Sequence, residues 1–283
     1  MKSVLIIWFS VLNVTLNAQT ESKSNKILFK GYTFEQTNYS ESNCVFAKTR
    51  KDTMKEFINS YDTVCSHVEF SDLTVSGPNS EVADAINSKM KSMSLTFGEE
   101  SYNSPQLFCS GIADSYAKDA FIELEVGIYF RDTFNRFCNI EYSSIEDAGG
   151  AHRNYYFRNL IFDTKDGTEV QVESILNDSN LSALRKLLYK KFIKSYNLGA
   201  LLIDVNKPEE FPLPEFISIN SDGIRFTYNT YEIMPYCYGM PEFNFSFREI
   251  YPYLTPWFKQ FVAAPPKAAV KKTKQKVNSS KRR

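Results

Sequence analysis

His152 closes the run Gly149-Gly150-Ala151-His152, and it is the residue of this chain best suited to chemistry. An imidazole titrates near neutral pH, so with nearby carboxylates it could serve as a general acid or base, or it could hold a metal. The plainer reading is that a ring nitrogen bonds backbone and pins the turn. Cys237, in Met234-Pro235-Tyr236-Cys237-Tyr238-Gly239, is open to two readings in the same way. It could pair with a histidine as a nucleophile, or it is a small buried residue in a tight loop bounded by proline and glycine. G-x-S-x-G, H-E-x-x-H and a glycine-rich phosphate loop are all missing. With two histidines and no C-x-x-C, a zinc site is not expected either. No catalytic residue and no cofactor is therefore assigned.

Tyrosine is the second chemical signal. Tyr228, Tyr231, Tyr236 and Tyr238 crowd one short stretch, and Tyr251, Tyr253 and Trp257 follow. A phenol ring offers a large contact area at low rotamer cost and ends in a polar group, which suits protein interfaces and sugar stacking. The competing explanation is that aromatics favour sheets and fill their cores. His152, Tyr231, Tyr236 and Tyr238 are taken as the candidate binding residues.

The elements that must position these groups read as α+β, with mainly antiparallel sheets, helices packed on them, and two small subdomains in series. Short strand clusters at 27–34, 44–46 and 67–70 precede a helix expected over 81–95, where Val82, Ile86, Met90 and Met93 recur at helical spacing. Ile122, Leu124, Val126, Ile128 and Phe130 alternate as one face of a half-buried strand. A strand from Tyr155 to Phe162, the turn Thr164-Lys165-Asp166-Gly167 and a return over 169–172 predict a hairpin. Leu181, Leu184, Leu188 and Phe192 make the apolar stripe of a second helix, capped by Asp178 or Ser179. A second hairpin over 216–231 and a strand alternating Phe243, Phe245 and Phe247 complete the pattern. The expected divisions are a leader at 1–18, an α+β unit at 19–145, a second at 146–263 and a basic tail at 264–283.

Lys2, the apolar run Val4–Leu12 and Asn17-Ala18-Gln19 have the layout of a secretory leader cleaved after Ala18. The run is too short to span a bilayer, and no later segment spans, so a secreted or periplasmic protein is expected. In that compartment cysteines favour disulfides. Among Cys44, Cys65, Cys109, Cys138 and Cys237 the expected bridges are Cys44–Cys65 and Cys109–Cys138, each closing a loop worth about 3 kcal/mol in the chain-entropy model. The 33 basic and 33 acidic residues balance only because Lys267–Arg283 carry eight positive charges and no acid. Residues 19–264 hold 24 basic groups against 33 acidic ones, a net −9. An acidic body is a poor surface for phosphates, so no nucleic acid is expected on it. The tail lacks apolar periodicity and is expected to be disordered.

Three stretches resemble a known family. Gly149-Gly150-Ala151-His152, a strand ending Phe162-Asp163, the Asp166-Gly167 turn and Ser174-Ile175-Leu176 are similar to the extracellular domain of RsiV-type anti-sigma factors. So is Tyr228-Asn229-Thr230-Tyr231-Glu232-Ile233-Met234-Pro235-Tyr236, with Gly239, Pro241-Glu242 and Phe247 after it. The segment Val68 to Asn87, with Gly77-Pro78-Asn79 and Ala85-Ile86-Asn87, resembles the smaller domain that precedes it in those proteins. The likeness covers roughly 65–265. It implies a noncatalytic, exported α+β module, which in the best-understood members binds lysozyme and senses attack on the cell wall; related domains accompany peptidoglycan deacetylases. Arg153 stands where a glycine is usual, Cys237 replaces an alanine-like residue, and anti-sigma and membrane segments are not seen. The expected partner is a lysozyme-like hydrolase, another envelope protein or cell-wall glycan. The alternative is a peptidoglycan-acting enzyme that uses His152.

Overall fold

Lys30 and Gly31 both take left-handed backbone, at φ 53° and 84°, as a tight two-residue hairpin turn requires. They join β1 (Asn25–Phe29) to β2 (Tyr32–Phe46), and β2 pairs antiparallel with β3 (Thr63–Ser76) along its length. The computed structural model describes residues 25–46, 63–97, 100–116, 123–147, 151–197, 199, 203, 205 and 207–265. The expected leader, and the expected tail beyond Pro265, lie outside the described residues.

The Asn79 carboxamide oxygen accepts from Glu81 N and Val82 N and so starts α1 (Ser80–Ser94), which buries Val82, Ile86 and Met90. A small pair, β4 (Thr96–Phe97) and β5 (Glu100–Ser101), leads to α2 (Pro105–Tyr116). These helices carry the chain over the sheet, so β6 (Glu123–Phe134) returns parallel to β3. β7 (Phe137–Asp147) and β8 (Asn154–Asp163) add antiparallel strands, giving the order β1-β2-β3-β6-β7-β8. The division expected at 145/146 falls inside β7, and β8 beyond it belongs to the same sheet. The chain continues through α3 (Val172–Ile175), α4 (Leu181–Ser195), β9 (Phe216–Ile219), β10 (Gly223–Thr227), β11 (Glu242–Ser246) and α5 (Phe247–Ile250), with β11-β10-β9 as a second antiparallel sheet. This is the α+β, mainly antiparallel class read from the sequence. No helix among the described residues is long and apolar enough to cross a membrane.

Strand alternation gives the large sheet two buried faces near β7 and β8. Cys138, Ile140, Leu160 and Phe162 pack with α1, while Phe137 and Ile161 enter the core of the second sheet, which α4 fills with Leu184, Leu188 and Phe192. Buried Asn139 and Asn159 lie on that second face and bond the backbone of β9. The hairpin expected after the Asp166-Gly167 turn closes for one bridge only, Phe162↔Glu169, because Val172 already enters α3. Asn177 caps the 3-10 turn Asp178–Asn180 just before α4, the role expected of Asp178 or Ser179.

The cysteines divide. The expected Cys109–Cys138 bridge is not formed: both thiols are free, and they sit in different apolar clusters, one on α2 and one on β7. Burial pushes each of them up to about 12, far from the thiolate needed for exchange. The β2–β3 register, in contrast, sets Cys44 directly across from Cys65. Facing Cα positions on neighbouring strands lie within disulfide range. The protein purified from an oxidising compartment is therefore expected to yield one peptide pair joined through Cys44 and Cys65 in a non-reducing digest. Alkylation of both residues in the unreduced protein would remove that bridge from consideration.

Candidate functional site

β8 is the last strand of its sheet, and the loop after β10 is fastened to the outer edge of its N-terminal half. Asn229 mimics a strand residue there: its Oδ1 accepts from Phe157 N at 2.7 Å and its Nδ2 donates to Phe157 O at 3.0 Å. Thr230 Oγ1 donates to Tyr155 O at 3.1 Å. The loop is held from within as well, since Glu232 accepts from Asn229 N at 2.8 Å and Ile233 and Met234 are buried in the second core. Burial, and then the nearby Glu215, push the Glu232 carboxyl above its usual range.

This anchoring brings three of the four candidate residues together across a long sequence separation. The His152 ring stacks on Tyr236 with centroids 3.9 Å apart and planes 13° from parallel. Tyr231 Oη meets His152 Nε2 at 2.8 Å, and His152 Nδ1 lies 3.0 Å from the Arg153 carbonyl. A carbonyl only accepts, so Nδ1 carries the proton and Nε2 accepts from the Tyr231 hydroxyl in the neutral ring. Tyr155 was not selected from the sequence, yet it extends the stack on Tyr236 at 5.9 Å and 28°. Packing against these rings, and then the hydrogen bond with Tyr155, raise the Tyr236 phenol above its ordinary value. Tyr155 was missed because it reads as an ordinary strand residue; its partner on the loop is 81 positions away. Tyr238 turns elsewhere, meeting Tyr196 edge-on at 6.3 Å. Cys237 between them is free and exposed, so it is not the buried loop residue expected from the sequence.

His152 and Tyr231 are exposed, Tyr231 by 51%. Tyr231 holds φ at 64°, a conformation unfavourable for a bulky residue. Beside the rings Arg153, which takes the place of the expected glycine, ties the loop before β8 to β6 and β7. Its guanidinium bonds Glu123, and it lies 3.4 Å from Asp147 and 4.0 Å from Glu125. The result is a surface platform of ordered rings with a charged border. Tyr228, in the same stretch, is instead core, with its hydroxyl donating to Pro212 O at 2.8 Å. Both nitrogens of His152 are engaged, and no group of three His, Cys, Asp or Glu side chains suited to a metal ion occurs among the described residues.

Two solved structures share the fold. A DUF3298 family member from Bacteroides fragilis superimposes with a TM-score of 0.61 at 16% identity, covering 80% of this chain and 94% of the other. A DUF3298 family protein from Pseudomonas aeruginosa does so with a TM-score of 0.53 at 13% identity, covering 79% and 95%. No curated protein matches the chain. Residues 173–248, from α3 through the platform loop to the start of α5, match the family model DUF3298, described as a protein of unknown function.

Proposed function

We propose that this chain is an exported, noncatalytic binding protein of the bacterial cell envelope whose His152–Tyr231–Tyr236 platform engages a protein partner, a lysozyme-like cell-wall hydrolase in the first place. The observation that carries this reading is the ring stack of exposed His152 on half-buried Tyr236 at 3.9 Å, with exposed Tyr231 beside it. Rings fixed before binding lose little freedom on contact, which is what an interface anchor needs. The match to DUF3298 over 173–248 is compatible with the RsiV-type resemblance. The net −9 of residues 19–264 complements a basic hydrolase and would steer its approach. An acid/base role for His152 is less well supported, because both ring nitrogens are already engaged.

The test is retention of a basic lysozyme by immobilised residues 19–283 at low and at 150 mM salt, the latter close to physiological ionic strength. The expected result is a complex that survives physiological salt, with an association rate at least roughly tenfold faster at low salt. A rate indifferent to salt would remove the electrostatic part. Failure to retain any cell-wall hydrolase, together with retention of peptidoglycan fragments, would transfer the platform to glycan stacking.

A further inference from the structure

On the outer edge of β8, from Tyr155 to Asp163, every outward-facing residue except Asn159 has at least one backbone group bonded by another segment. In an antiparallel strand the N–H and C=O of alternate residues point to the same side, and the β7–β8 register runs without a shift from Phe137↔Asp163 to Glu146↔Asn154. On the side away from β7, Thr230 bonds the Tyr155 carbonyl and Asn229 bonds both backbone groups of Phe157. Further along, Val170 N donates to Ile161 O at 2.7 Å and Asp163 N donates to Thr168 O at 2.9 Å. Asn159 belongs to the same alternating set, so its N–H and C=O point outward too. Among the described residues nothing bonds either group; only its side chain is engaged, with Asn139 and Ile217.

Asn159 is 7% exposed, and buried backbone groups of this kind are almost always paired. A cleft of about 210 Å³ opens beside it, lined by Arg158, Glu169, Gln171, Glu173, Glu215 and Phe216 among others. Arg158 Nε is itself buried without a partner among the described residues. Three carboxylates face one guanidinium. Glu169 is answered by Lys89 at 2.8 Å and Arg158 at 3.8 Å, while Glu173 and Glu215 stand exposed without an ion pair among the described residues. A guest must therefore offer one hydrogen-bond acceptor and one donor side by side, and a positive charge. The Asn229 carboxamide shows that fit two residues earlier, where it pairs with both groups of Phe157. A peptide residue in extended conformation has the same arrangement.

We propose that the cleft beside Asn159 is a second binding site, which takes one residue of an extended peptide bearing a lysine: the guest backbone pairs with the Asn159 N–H and C=O, and the ammonium sits with Glu173 and Glu215. The site does not depend on the ring platform, and its probe is too short to need the rings.

The experiment is an NMR titration of the ¹⁵N-labelled full chain with N-acetyl-Ala-Lys-Ala-amide. The Asn159 amide resonance is expected to shift saturably, and the Ala-Glu-Ala counterpart is expected to leave it in place. Methylating the lysine backbone nitrogen removes one pairing bond and is expected to weaken binding about tenfold. The double substitution Glu173→Gln/Glu215→Gln breaks no ion pair of the described fold, so the free spectrum should be otherwise preserved while affinity falls about tenfold. No saturable shift, an equal response to the acidic peptide, or full affinity in the double variant would each overturn the proposal and leave the cleft to solvent.

Discussion

Asn139→Leu is expected to destabilise the fold by about 3–5 kcal/mol, although it nearly conserves side-chain volume. Asn139 is fully buried where the second sheet lies on the first. Its Nδ2 donates to Asp132 O at 3.0 Å and to Ile219 O, and its Oδ1 accepts from Ile219 N at 2.9 Å and from Asn159 Nδ2 at 3.3 Å. One carboxamide thus replaces the strand that β9 lacks on its outer edge. Leucine makes none of these bonds, and Ile219 N–H and C=O lose their side-chain partner in a buried setting; each unpaired group costs about 1–3 kcal/mol. Asn159→Leu removes the donor to Ile217 O at 2.7 Å and is expected to cost less, about 1–2 kcal/mol. Urea unfolding reads both, as a lowered midpoint with an unchanged slope. A loss below about 1 kcal/mol for Asn139→Leu would mean that the sheets are joined by apolar packing alone.

The same two asparagines show where a sequence stops being readable. Helix α1 was legible because Val82, Ile86 and Met90 repeat at the spacing that burial requires, and the expected 81–95 lies one residue from Ser80–Ser94. β6 was legible for the same reason at period two. β2 and β3 are long strands, of 15 and 14 residues, but appeared as short clusters, because Thr37-Asn38-Tyr39-Ser40-Glu41-Ser42 carries no apolar alternation and is held by its partner strand. Asn139 and Asn159 gave no signal at all, since a buried amide with a backbone partner is indistinguishable in sequence from a surface one. The cysteines failed differently: Cys138 lies 29 positions after Cys109, but that stretch crosses from a helix to a strand on another part of the core. For the platform, the residue types were legible and the assembly was not. His152 and the tyrosines could be picked out by chemistry, whereas their meeting rests on Asn229 and Thr230 docking against β8, contacts of the kind that leave no periodic trace.

Tyr236→Ala is expected to weaken the partner complex about 100-fold, the effect of removing a central aromatic anchor. His152, Tyr155 and Tyr231 all contact that ring, so its loss disperses the stack rather than trimming it. The folded chain should change little, because the rings lie at the surface and the loop stays held by Asn229, Thr230, Ile233 and Met234. Tyr231→Gly separates binding from structure more sharply. At φ 64° the tyrosine backbone is about 1–2 kcal/mol less favourable than glycine would be, while glycine gives back about 0.5–1 kcal/mol through the freedom of the unfolded chain. The variant should therefore be as stable as the parent or slightly more so, even after losing the hydroxyl bond to His152 at 2.8 Å. Its affinity for the partner should fall at least about tenfold. Retained stability with lost binding is the signature of a residue held in strain for contact with something outside the fold. If Tyr231→Gly instead lowers the unfolding midpoint while the complex survives, the ring is a clasp for its own loop, and the platform ceases to be the binding surface.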